Sequence, residues 1–307
     1  MKNADLQKVL EFCEEKNLYF GEGNPNAKIL FVGQEIGYGS ENSEDKQPSF
    51  FKIKENSEKE TNKNLCFWER RTSEDLEKYL LHLQGHFKDV SPNPTWKSYQ
   101  KIVNVILGRS IEDKCHDFLN YSFITEYSQL SLPKNQYRPK DMDKKEFDEK
   151  KKKSIDERKT LFKQDFFQNF PTVIMACGHY PTRQYPMNMP QTFGVKWAEE
   201  ESKKISKELS TGYCNLHFEE NKILIHTRQL SNFRDNKENV NQLLTKIAKL
   251  CKPIYDKHIE LEKILNVAEQ RWNNGGKEIY EAMQNNPEFV DSLEYKKYMA
   301  DLKKEDL

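Results

Sequence analysis

The sequence predicts an α/β fold: a three-layer α/β/α core around a central, mostly parallel four-stranded sheet, with a helical extension at the C-terminus. Three observations lead there. Four short apolar runs stand far apart in the chain, and segments with helical spacing lie between them. The runs also lack the in–out alternation of half-solvated strands, as expected of strands covered on both faces.

In chain order, Asp5, Leu6, Val9, Leu10 and Cys13 form an amphipathic helical series. The first strand is Lys28–Gly33, KILFVG. Trp96, Tyr99, Ile102, Val103, Ile106 and Leu107 recur at helical spacing and end at Gly108, a residue suited to a helix C-cap. The second strand is Tyr121–Glu126, YSFITE. Residues 139–163 are crowded with charge, including Lys150–Lys153. Such a segment reads first as a solvated helix face and second as a basic edge that meets phosphates. Phe162, Phe166, Phe167 and Phe170 close a further helix before Pro171. The third strand is Thr172–Gly178, TVIMACG, and the fourth Lys222–His226, KILIH. Beyond Pro253, the residues Ile254, Leu261, Ile264, Leu265 and Ala268 mark an amphipathic helix, and Tyr280 to Leu307 is expected to add one or two more. The expected division is an α/β domain over 1–250 and a helical extension over 251–307, the latter a surface for a partner protein.

The composition, 36% hydrophobic and 32% charged over 307 residues, fits a globular chain with a solvated exterior. Lys+Arg and Asp+Glu are both 49, so net charge gives no support for a polyanion partner, although a local basic patch would vanish in that sum. The six cysteines form no C-x-x-C pair, so no zinc or iron–sulfur site of the usual spacing is expected, and no metal or cofactor. Cys177 reads as a small buried side chain. The opening MKNADLQKVLEFCEEK carries charge throughout and lacks the apolar core of a signal peptide. No run approaches the roughly 18 apolar residues of a membrane span. A cytoplasmic protein with no membrane partner is the expectation.

In open α/β sheets ligands bind beyond the carboxyl ends of the strands, so the residues after each run are the candidates. Gln34 and Glu35 follow the first, among Gly33, Gly37 and Gly39. Glu126, Tyr127 and Gln129 end the second, His179 and Tyr180 follow the third, and His226, Arg228, Gln229, Leu230 and Ser231 end the fourth. A carboxylate and a histidine on separate strand ends supply a base and an electrostatic stabiliser. Each alone also suits an ordinary capping or surface role.

These residues carry a resemblance. GEGNPNAKILFVGQEIGYG (21–39) is similar to the first motif of the uracil-DNA glycosylase superfamily, with Glu35 in the position of the water-activating aspartate. HTRQLSNFR (226–234) resembles its second motif, His-Pro-Ser-Pro-Leu-Ser. There His226 matches the catalytic histidine, Leu230 the leucine that wedges into the base stack, and Ser231 the serine after it. FITE (123–126) looks like the middle strand that holds the base-reading asparagine, here Glu126. TVIMACGHYPTR (172–183) and WKSYQKIVNVILG (96–108) fit the family's layout, and the likeness runs in order over roughly residues 5–250. The chain departs from the family at Thr227, Arg228 and Gln229, which replace Pro-Ser-Pro, at Ile36 in place of proline, and at Glu126. It also lacks the cysteines of the iron–sulfur branch.

The resemblance implies a DNA glycosylase acting on a base flipped out of the stack. Glu35 then stabilises the sugar cation and activates water, and His226 stabilises the departing base, with Gln34 assisting through its backbone. Phe50 and Phe51 stand where the superfamily places a base-stacking aromatic; core positions are the alternative. Arg228 contacts phosphate or a groove, and Leu230 fills the gap or, alternatively, anchors its loop in the core. An ionised Glu126 would only accept hydrogen bonds, which points to a modified or non-uracil base. Two other functions stay open: a superfamily member that binds nucleic acid without cutting it, and a small-nucleotide hydrolase using Glu35 and His226.

Overall fold

A computed structural model describes residues 4–38, 48–69, 94–133, 139–231 and 235–271. The four apolar runs lie in strands at the centre of one mixed sheet. The strands are β1 (Glu22–Gly23), β2 (Ile29–Tyr38), β3 (Ser122–Pro133), β4 (Thr172–Met175), β5 (Lys196–Trp197), β6 (Cys214–Glu219) and β7 (Lys222–Thr227). Their order is β1-β3-β2-β4-β7-β6-β5. The neighbours β3-β2-β4-β7 are parallel, while β1, β6 and β5 join antiparallel at the two edges. The fold is α/β, and the expectation of a mostly parallel four-stranded sheet is corrected to a mixed sheet of seven strands among the described residues. The three additional strands are short or lie toward the edges, where an apolar run is not required.

Ile29, Leu30, Phe31 and Val32 of β2 are fully buried. Leu30 pairs with Phe123 and Phe31 with Ile124, so Phe31 and Phe123 point to opposite faces of the sheet. Phe31 stacks on Tyr99 of the Pro94–Ile106 helix, with ring centroids 4.1 Å apart. Phe123 packs on the other face against Phe20, Phe166 and Phe170. The Pro94–Ile106 helix ends as its sequence suggests, with Gly108 in the left-handed region (φ 76°) and the Arg109 N–H returning to the Asn104 carbonyl at 2.8 Å.

Two strands outrun their apolar segments. β2 continues through Gln34 and Glu35, with a register shift between Glu35 and Gly37, and β3 continues past Glu126 to Pro133. Glu35 is therefore a strand residue and not a loop residue, and Glu126, expected at a strand end, lies inside its strand. Phe162 sits in a 3-10 turn, Leu161–Lys163, and Phe166 and Phe167 in a one-turn helix, Asp165–Gln168, rather than in one longer helix, and Phe170 lies beyond both.

The charged segment forms a helix, Lys144–Lys159, capped by the Asp143 carboxylate on the Glu146 N–H at 2.9 Å. Its buried stripe is Phe147, Lys151, Ile155 and Arg158. Two of those four are cations; Lys150, Lys152 and Lys153 are exposed, as expected of a solvated helix face, while Lys151 turns inward.

The chain divides into two compact units after Tyr255. In the first, Leu243, Leu244, Ile247, Ala248, Cys251 and Tyr255 of the Lys237–Arg271 helix are buried. In the second, Leu261, Ile264 and Leu265 are exposed. The helices expected over 280–307 lie outside the described residues. No described helix is long and apolar enough to cross a membrane.

Candidate functional site

The strand order reverses at β2 and β4: the chain leaves β2 for β3 on one side and later returns to β4 on the other. The crevice beyond the carboxyl ends of that pair is where an open sheet binds ligands. Glu35 stands there, its side chain only 4% exposed. Its Oε2 accepts from Lys151 Nζ at 2.7 Å and from the Tyr180 hydroxyl at 2.6 Å. Lys151 also donates to the Tyr180 hydroxyl, closing a three-membered ring of contacts. The ammonium lies 4.6 Å from the Tyr180 ring centroid, which adds a cation–π contact. Burial first, then the Glu35 charge and hydrogen bond, push the Tyr180 hydroxyl well above its ordinary range. The Gln34 side chain bonds the same hydroxyl. Glu35 Oε1 is buried without a hydrogen-bond partner among the described residues.

Glu126 pairs with Gly33 across β3 and β2. Its carboxyl leans over that glycine, and a Cβ at 33 would overlap Oε2. The residue as a whole is half-buried, but Oε2 is sealed and without a hydrogen-bond partner among the described residues. Burial raises its pKa to about 8; the Arg158 guanidinium opposes this, and the Glu35 and Glu22 charges add to it. At neutral pH the carboxyl is therefore mainly protonated, and it offers a donor as well as an acceptor, as an amide does. This corrects the premise that Glu126 can only accept.

Arg158, fully buried, holds this region from behind. Its Nε donates to the Glu126 carbonyl at 2.6 Å, and its other nitrogens donate to the Tyr19 carbonyl and Thr125 Oγ1. Lys151 and Arg158 both come from the charged helix, and the sequence reading passed over both as individual residues. The one signal for them is that they share a stripe with Phe147 and Ile155.

His226 is fully buried on β7. Its Nδ1 takes the Asn215 amide at 3.2 Å, its Nε2 faces the Gly178 carbonyl at 2.6 Å, and the Tyr213 hydroxyl is 3.4 Å from Nε2. With an amide donor on Nδ1, the Nε2 proton goes to Gly178. Burial lowers the imidazole to about 4, against the pull of the Gly178 bond, and the His179 charge lowers it further. It is neutral at physiological pH.

β4 lies between the strands of Glu35 and His226, and among the described residues the two side chains share no hydrogen-bond partner. What links them is the turn after β4: the Gly178 carbonyl holds His226, and two residues on, Tyr180 holds Glu35.

The remaining candidates are dispersed. Leu230 is fully buried, and its carbonyl accepts from Ser98 Oγ at 2.9 Å, so in this structure it is a core anchor and not an exposed wedge. Arg228, half-buried, meets Asp235 and Thr211 Oγ1, each at 3.1 Å. Ser231 is half-buried beside Leu230. Phe50 packs with Ile53, Leu130, Leu132 and Phe147, whereas Phe51 is 74% exposed. A cavity of about 410 Å³ lies elsewhere, lined by Phe50, Lys54, Ser57, Leu130, Lys150 and Ser154 among others; neither Glu35 nor His226 lines it. Among the described residues no three His, Cys, Asp or Glu side chains group as metal ligands.

No protein-family model matches the chain, and no curated protein sequence matches it.

Proposed function

We propose that the chain is a uracil-DNA-glycosylase-like enzyme that hydrolyses the N-glycosidic bond of an extruded base. The reading includes a three-layer α/β/α core over 1–250, a helical extension over 251–307 open to a protein partner, a cytoplasmic location, and DNA as the partner of the strand ends. The observation that carries it is the seating of Glu35 at the β2–β4 crevice. Lys151 and Tyr180 occupy Oε2, which leaves Oε1, buried and unpartnered, to hold a water against the sugar. In the reaction the C1′–N bond breaks with its electron pair passing to the base. The water oxygen adds to C1′, and a water proton passes to Glu35. A neutral His226 suits the stabilisation of a departing base by hydrogen bonding, once Nε2 exchanges the Gly178 carbonyl for a base carbonyl. A protonated Glu126 presents both a donor and an acceptor to a base edge. The departures at Thr227, Arg228 and Gln229 from the second motif favour a modified or non-uracil base.

A member of the same superfamily that binds nucleic acid without cutting it is the second reading. One observation favours it: both His226 ring nitrogens are already engaged within the fold.

Base release from oligonucleotides carrying a panel of modified bases, with uracil and mononucleotides included, separates the readings. Release by the wild-type chain that Glu35→Gln abolishes supports the enzyme. Binding without release from any substrate supports the second reading. Release that Glu35→Gln leaves unchanged overturns the role of Glu35.

A further inference from the structure

Tyr180 turns inward to Glu35, but its neighbour His179 is exposed. The His179 ring lies over the Tyr213 ring, with centroids 5.4 Å apart and planes 16° from parallel. Tyr213 precedes β6. Because Cys214 pairs with Thr227 in an antiparallel ladder, Tyr213 stands beside Arg228. Arg183 follows His179 by one turn, its N–H bonded to the His179 carbonyl at 2.9 Å, and its side chain is exposed. The Arg183 and Arg228 guanidiniums both act electrostatically on the Tyr213 hydroxyl. Asp235 meets Arg228 at 3.1 Å, while no ion pair among the described residues involves Arg183. Four side chains from three segments thus converge at the carboxyl ends of β4 and β7: two stacked rings flanked by two guanidiniums. The turn after β4 that presents His179 and Arg183 is the one that fixes Glu35 and His226.

A stacked ring pair with an exposed member accepts one more flat ring, and guanidiniums beside it suit the phosphates that such a ring carries along a chain. Duplex bases are already stacked on both faces, so the matching partner is an unpaired strand. We infer that His179 and Tyr213, with Arg183 and Arg228, form a contact surface for single-stranded nucleic acid, an unpaired base extending the stack and flanking phosphates meeting the guanidiniums. The inference rests on the proposed function for placing nucleic acid at this end of the sheet, and it adds the surface that holds the strand.

The test is fluorescence anisotropy of the full chain with a labelled, undamaged single strand of about 12 nucleotides. Salt is varied from about 50 to 200 mM. The expected result is wild-type affinity that falls with salt. Arg183→Gln reduces the log–log salt slope by about 0.7, the loss of one phosphate contact on a single strand. His179→Ala weakens binding about tenfold with little change in slope. Lys196→Gln, on the far edge strand, binds as the wild type does. Wild-type protein that fails to bind the strand, binds it without salt dependence, or prefers the matched duplex overturns the assignment. So do Arg183→Gln and His179→Ala variants that match the wild type. The strand is undamaged and nothing is cut, so failure here leaves the base-release reading standing, and absence of base release leaves this measurement intact.

Discussion

Gly33 and Glu126 stand side by side on parallel strands, and the carboxyl of Glu126 occupies the space that any side chain at 33 would need. The three atoms nearest to a Cβ at 33 all belong to the end of the Glu126 side chain, which can swing. Gly33→Ala is therefore expected to fold, at a cost of about 1–3 kcal/mol in urea denaturation. Its main effect is to expel the Glu126 carboxyl from its sealed position. An NMR titration of Glu126 would show its pKa returning toward 4.5 in the variant; a carboxyl that titrates as in the wild type would refute the crowding argument.

The second expectation concerns pH. The Glu126 carboxyl titrates near 8 when folded, against an ordinary 4.5. Between those values the unfolded chain has released the proton and the folded chain keeps it. This contribution to stability is complete below about 4.5 and is lost as pH rises toward about 8. Glu126→Gln is uncharged throughout, so it should gain on the wild type as pH rises across that window. Urea midpoints of the two proteins at several pH values check this, and a constant difference between them would count against a raised pKa.

Glu35 and Lys151 are each 4% exposed at the side chain and meet at 2.7 Å. Removing one partner of such a pair leaves a buried charge unopposed. Lys151→Met should cost about 3–5 kcal/mol, and adding Glu35→Gln should restore much of that loss. Denaturation of both single variants and the double variant gives the coupling energy. Additive losses would mean that the two groups do not depend on each other.

Leu230→Ala distinguishes a core anchor from a base wedge. As a fully buried leucine, Leu230 should cost about 2–5 kcal/mol on truncation. A wedge would lose nucleic-acid affinity and leave the thermal transition where it was.

The legible and illegible parts of this fold differ in what their residues touch. Ile29–Val32, Thr172–Met175 and Ile223–Ile225 lie in central strands covered on both sides, so their chemistry announces them. β6 is flanked by β5, and its outer end, Phe218 and Glu219, is exposed, so no continuous apolar run marks it. Glu35, Glu126 and His226 were found because they follow apolar runs. Tyr180 is legible in the same way, whereas Lys151 and Arg158 are not, because they belong to a helix between the strands and meet those residues only in three dimensions. Lys151 and Arg158 were hidden further, since a pattern of apolar spacing does not register a stripe that is half cationic.

Those two cations have a consequence for how the molecule opens. Through them the Lys144–Lys159 helix satisfies acceptors on Tyr19, Thr125, Glu126 and Glu35, which belong to three separate stretches of chain. Lifting the helix alone would strand two charges' worth of donors and leave those acceptors dry. Amide exchange along this helix should therefore slow to the rate set by whole-molecule unfolding, so that the stretch richest in lysine is among the last to let deuterium in.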